Sequence, residues 1–97
     1  MKEVRYYVGA DNRDGQRNEK TLFAVVSMFF EGFTFIPAEG FWQSQGGLAG
    51  KSELSSVIIV HTDKDDLYCR ECADAIKHHL KQEAVGMATI QSTFDLI

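Results

Sequence analysis

Residues 54–61 read LSSVIIVH, and this run constrains the fold more than any other stretch of the chain. Its centre is continuously apolar and β-branched, and polar residues bound it at both ends. A strand of that kind belongs in the interior of a sheet. The rest of the chain must supply neighbours for it and layers to cover it.

The neighbours are legible on either side. Val4 to Val8 is rich in Val and Tyr and reads as a strand. A polar loop, DNRDGQRN, follows from Asp11 to Asn18, and Asn18 is placed to cap a helix. Glu19 to Glu31 (EKTLFAVVSMFFE) carries Leu22, Val25, Val26, Phe29 and Phe30 on one helical stripe, with Phe23 and Met28 off it. A helix apolar on two sides is covered on two sides. Gly32 is expected to end it. Phe33 to Ile36 reads as a strand. Pro37 interrupts its ladder, Gly40 supports a turn, and Phe41 to Gln43 begins another short strand. Gln45 to Ser52 reads as a loose loop. Beyond the central strand, Asp63 or Asp65 caps a second helix from Asp66 to about Glu83, which Gly86 terminates. Met87 to Phe94 alternates apolar and polar residues and reads as the last strand.

The order is β-α-β-β-α-β, an α+β, ferredoxin-like plan for residues 1–97 as one domain. It predicts an antiparallel sheet with both helices on one face. The other face is left bare, and a copy of the same chain is its expected cover. The 11% aromatic content, with seven Phe, supports oligomerisation through that face. The net charge of -4 and the lack of any Lys/Arg cluster argue against a nucleic-acid partner. No apolar run approaches the roughly 20 residues of a membrane span, and MKEVRYYVGA reads as a strand rather than a signal peptide. A cytoplasmic location with reduced cysteines is expected.

Several motifs invite chemistry. Gly46 to Ser52 resembles a phosphate loop, but Gln45 stands where that pattern needs glycine, and a strand follows where it needs a helix. Cys69-Arg70-Glu71-Cys72 has redox or half-zinc spacing. Without a second such pair, and on a stripe with Ala73, Ile76 and Leu80, the cysteines read first as core residues. No metal is expected. His78 and His79 suit the negative end of their helix, and His61 ends a strand. Glu53 stands out, because it leads from the glycine-rich segment into the central strand. A carboxylate there faces either solvent or a pocket built with segment 41–43.

The stretch Gly32-Phe33-Thr34-Phe35, Gly40-Phe41-Trp42 and Glu53-Leu54-Ser55-Ser56-Val57-Ile58-Ile59-Val60 resembles the bacteriophage S-adenosylmethionine-degrading lyases, formerly called hydrolases. The likeness runs from about Thr21 to Ile90 and is one of spacing and residue type; the chain is shorter than typical members. The resemblance implies a homotrimer, with a dimer as alternative, and active sites between subunits. It implies cleavage of S-adenosylmethionine, or of a related molecule that contains it, to methylthioadenosine and homoserine lactone as phage counter-defence, without a cofactor. Glu53 would be the catalytic residue, holding the ligand's amino group or ribose hydroxyls. Phe41, Trp42 and Gln43 would bind substrate, the aromatic faces contributing about 0.5–2 kcal/mol against a sulfonium. Gln82 and Glu83 would complete the pocket from the neighbouring subunit. Beside this stands a non-catalytic reading: a small-molecule sponge or a protein-inhibitor module, with Trp42 at a subunit seam.

Overall fold

The computed structural model describes residues 1–43, 50–91 and 93–97, the side chains of 42, 43, 50 and 51 excepted. The described elements are β1 (Lys2–Val8), α1 (Glu19–Ser27), β2 (Thr34–Gln43), β3 (Gly50–Thr62), α2 (Asp66–His79) and β4 (Gly86–Gln91). The sheet order is β2-β3-β1-β4, and each neighbouring pair is antiparallel. This is the ferredoxin-like α+β arrangement. The 54–61 run lies within β3, an interior strand, as its apolar centre requires.

Alternation divides the sheet cleanly. Val4, Tyr6 and Val8 of β1 and Ile58 and Val60 of β3 are buried on one face. Against them lie Leu22, Val25 and Val26 of α1 and Cys69, Cys72 and Ile76 of α2, so both helices cover the same face. Burying each large side chain there stabilises the fold by roughly 1.5–3 kcal/mol. Tyr6 is fully buried and donates its hydroxyl to the Cys69 carbonyl at 2.8 Å, as a buried phenol must. The opposite face exposes Tyr7, Ile36 and Ile90.

Several boundaries differ from the sequence reading; the last strand, for one, ends at Gln91 rather than Phe94. α1 stops at Ser27 rather than Glu31, and the Tyr68 hydroxyl takes the Phe29 carbonyl at 2.6 Å. Asn18 precedes α1 in a left-handed conformation (φ 51°) and does not cap it. Its side chain is committed to Asp11 and Asp14. Pro37 and Gly40 do not divide the hairpin: β2 runs unbroken from Thr34 to Gln43. It is an edge strand, where a missing N–H is tolerated. α2 ends at His79, four residues early, and Gly86 begins β4 instead of terminating the helix. A Cβ on Gly86 would lie 3.3 Å from that of Tyr7, so glycine permits the close pairing of β4 with β1. The N-cap reading holds for Asp65, whose side chain accepts from the Tyr68 amide. The segment read as a loose loop lies partly outside the described residues; 50–52 belong to β3.

Candidate functional site

Where α2 ends, its geometry aims a side chain at the sheet. Lys81 adopts φ 52°, the Lys81 amide donates to the His78 carbonyl at 3.4 Å, and the Gln82 amide donates to the Lys77 carbonyl at 2.9 Å. This paired closure is a Schellman motif formed without glycine. It turns Gln82 back toward the end of β1. The Gln82 side-chain amide then donates to the carbonyls of Ala10 (2.5 Å) and Leu80 (3.1 Å). With the nitrogen committed, Oε1 is left to point over Gly9.

Glu53 arrives at the same place from β3. Its register partner is Gly40, which offers no side chain to obstruct it. A Cβ built on Gly9 would lie 2.8 Å from Glu53 Oε1 and 2.9 Å from Gln82 Oε1. Two acceptor oxygens therefore converge above a glycine, and only a glycine leaves them room. They border a cleft of about 720 Å³ on the face away from the helices, whose apolar walls include Tyr7, Ala38, Val57 and Val85. That volume is ordinary for a small-molecule site, as is a mainly apolar lining with a few polar groups.

The polar loop after β1 holds this end together. Asp11 is fully buried. Its carboxylate accepts from the Arg13 amide (2.9 Å), the Arg13 guanidinium and the Asn18 side chain (2.8 Å). Hydrogen bonding from the Arg13 side chain holds the Asp11 carboxyl well below the usual carboxylate range, outweighing the opposing effect of burial. From this anchor Arg13 donates to the His79 carbonyl (3.0 Å) and Asn12 to the Lys81 carbonyl (2.5 Å). The carbonyl of His79, the last α2 residue, is thus satisfied by a cation and that of Lys81, in the turn beyond it, by an amide, which also fixes where Gln82 starts. Arg17 donates to the carbonyls of Ser55 (2.8 Å) and Ala38 (3.0 Å), tying the same loop to β3 and β2 beside the cleft.

Of the residues singled out from sequence, Glu53 and Gln82 meet, and they do so within one chain. Glu83 is exposed and lies outside the cleft walls. Phe41 is 70% exposed and is also not a wall residue. The backbones of Trp42 and Gln43 continue β2, pairing with Lys51 and Gly50; their side chains lie outside the described residues. Cys69 and Cys72 are buried free thiols, and burial pushes Cys72 up to about 11. Among the described residues no cluster of three or more potential ligands suits a metal ion. No described helix is long and apolar enough to cross a membrane. Sequence reasoning missed Gly9 and the clasp that the Asp11 loop makes on the end of α2. The Asp-Gly turn signal marks the loop, but nothing local signals that it clasps a helix end more than 60 residues away.

A family model described as "Protein of unknown function (DUF3574)" matches residues 7–95. The chain belongs to the DUF3574 family. No curated protein matches it. Among solved structures, this DUF3574 protein is similar to a phage SAM lyase in complex with S-methyl-5′-thioadenosine: TM-score 0.69, 18% identity, covering 91% of this chain and 78% of that one. The same description, phage SAM lyase, applies to an apo-state structure with TM-score 0.66 and 17% identity, covering 96% of this chain and 86% of that one. The periplasmic divalent cation tolerance protein CutA from Archaeoglobus fulgidus follows at TM-score 0.63 and 14% identity, covering 97% of this chain and 87% of that one. At these identities the likeness establishes the fold alone.

Proposed function

We propose that this DUF3574 protein binds S-adenosylmethionine, or a closely related sulfonium nucleoside, in the cleft above Gly9 and cleaves it to methylthioadenosine and homoserine lactone. The observation that carries the reading is the convergence of Glu53 Oε1 and Gln82 Oε1 in a mainly apolar cleft. Two acceptors, one of them anionic, match a ligand head that offers an ammonium or a ribose diol. The fold likeness to phage SAM lyases supports the same choice.

The reaction asks little of the protein beyond placement. The substrate's own carboxylate oxygen attacks the γ-carbon next to sulfur. A C–O bond forms as the C–S bond breaks, and the electron pair leaves with sulfur, which becomes a neutral thioether. No proton need move. Glu53 and Gln82 hold the amino group so that the carboxylate folds back on the carbon, an orientation effect worth up to ~7–11 kcal/mol in favourable cases. Charge is lost as the bond breaks, so the apolar walls from Ala38, Val57 and Val85 favour the transition state over the charged ground state. Trp42, two residues beyond Gly40 in β2, supplies an aromatic face for the adenine or the sulfonium. A second and third copy cover the exposed Tyr7, Ile36 and Ile90 face and close the cleft from outside. In a phage-infected cell such an activity removes the host's methyl donor.

The test is incubation with S-adenosylmethionine, read by mass spectrometry against a no-enzyme control because the compound decays unaided. Methylthioadenosine release above that control, lost in Glu53→Gln and Trp42→Ala while the oligomer persists, is the expected result. Full turnover in both variants removes the site assignment. Protection of the protein against heating without product turns the reading to a ligand sponge.

A further inference from the structure

A second cleft, of about 700 Å³, lies at the other end of β3, bordered by Ile59, His61 and Thr62 rather than by Glu53 and Ser55. It plays no part in the function proposed above. One wall is Tyr68, held by its hydroxyl on the Phe29 carbonyl at 2.6 Å and by edge contacts to Phe29 and Phe30, both with ring centroids 5.7 Å away. Another is Phe94, stacked on His61 at 3.9 Å with the planes 9° apart. His61 is itself held in place, its Nε2 3.1 Å from Glu3 Oε1. These rings are held by contacts with one another and with the Phe29 carbonyl, and through His61 with Glu3, so they present preformed aromatic faces rather than a collapsible apolar patch.

Two charges border the same cleft. Glu31 and Lys64 both line it and both are exposed. Among the described residues neither takes part in an ion pair. The Lys64 ammonium stands 5.1 Å above the Tyr68 ring, at the aromatic wall itself. A carboxylate and an ammonium beside a slot of aromatic rings are complementary to one chemical class: a zwitterion that carries an aromatic ring. We propose that this second cleft binds an aromatic α-amino acid, its ring against Tyr68 and Phe94, its carboxylate toward Lys64 and its ammonium toward Glu31.

The experiment is a titration of the uniformly ¹⁵N-labelled full chain with L-tryptophan, followed by amide shifts, with tryptamine and indole-3-propionate as single-charge analogues. Saturable shifts at Gly32, Thr34 and Thr62, with Gly9, Gly40 and Gly86 unmoved, are expected. L-tryptophan should bind about tenfold tighter than either analogue. Lys64→Met should weaken L-tryptophan and indole-3-propionate and spare tryptamine; Glu31→Gln should weaken L-tryptophan and tryptamine and spare indole-3-propionate. Both side chains are exposed, so a matching amide spectrum establishes that each variant is folded. The proposal is overturned by absence of saturable shifts, by shifts confined to Gly9 and Gly86, or by unchanged affinity in both variants. Concentration-dependent shifts at Gly32 and Thr34 without ligand would assign the cleft to a second copy and equally overturn it. Because the readout is binding at the far end of β3, failure here leaves the lyase reading untouched, and failure of that reading leaves this one standing.

Discussion

Replacing Gly9 with alanine adds one methyl group at the point where the acceptor pair converges. Its Cβ would meet Glu53 Oε1 at 2.8 Å and Gln82 Oε1 at 2.9 Å, whereas ordinary contact begins near 3.4 Å. Each oxygen must therefore withdraw by about 0.5–0.6 Å, the difference between those distances. Both are ends of side chains, so the backbone need not move. Disturbing the Gln82 bond to the Ala10 carbonyl costs about 1 kcal/mol. Gly9 is not in a left-handed conformation, so alanine recovers about 0.4–1 kcal/mol by restricting the unfolded chain. Stability should then change little, within about 5 °C of the parent midpoint. The site should not survive so well. Misplacement approaching 1 Å costs up to about a hundredfold in rate, or about 2.7 kcal/mol of barrier. The assay pairs thermal unfolding by circular dichroism with methylthioadenosine release, and uses the Gln82 side-chain amide resonances as a direct report on Oε1 placement. Parental turnover with unshifted Gln82 resonances would refute the geometry. A midpoint lowered by far more than 5 °C would refute the idea that flexible side-chain ends absorb the clash.

Further outcomes rest on the buried Asp11 carboxylate and the buried thiols. Asp11→Asn should lower the midpoint by about 5 °C or more, because the Arg13 clamp on the end of α2 loses its anion. The Asp11 carboxyl is depressed in the folded state, so its contribution is present above the ordinary carboxylate range and is lost as pH falls below it. Asp11→Asn should accordingly flatten the acid limb of a stability–pH profile; an unchanged limb would exclude this role. Cys69 and Cys72 should resist a thiol reagent at neutral pH until the protein unfolds, and rapid labelling of the native chain would contradict their burial. The folded Cys72 thiol is raised to about 11, so its effect runs the other way: stability is intact below the unfolded thiol value near 8.5 and declines as pH rises toward 11.

The order of elements and the interior position of β3 were legible because apolar alternation in a strand and apolar stripes on a helix are local patterns. The same is true of the core assignment of the Cys69 and Cys72 pair, which share a helical face with Ile76. Asp65 as a cap was local too. The misread boundaries have non-local causes. Tyr68 captures the carbonyl of Phe29, 39 residues away, and the loop at Arg13 satisfies carbonyls at the end of α2. Pro37 read as a break because sequence alone does not reveal which strand is the edge.

The candidate site divides the same way. Glu53 stood out as a carboxylate leading into the central strand, whereas Gln82 was named with Glu83 only through the resemblance to the lyases, and for a pocket of the neighbouring subunit. Their meeting was decided by tertiary structure. β1 had to bring Gly9 beside β3, and the left-handed turn at Lys81 had to redirect Gln82. The Asp11 loop had to hold the helix end that carries it. A sequence specifies residue types and local periodicity directly. Which two oxygens stand over one glycine depends on contacts among segments 9, 53 and 82, and no local pattern encodes a distance across the fold.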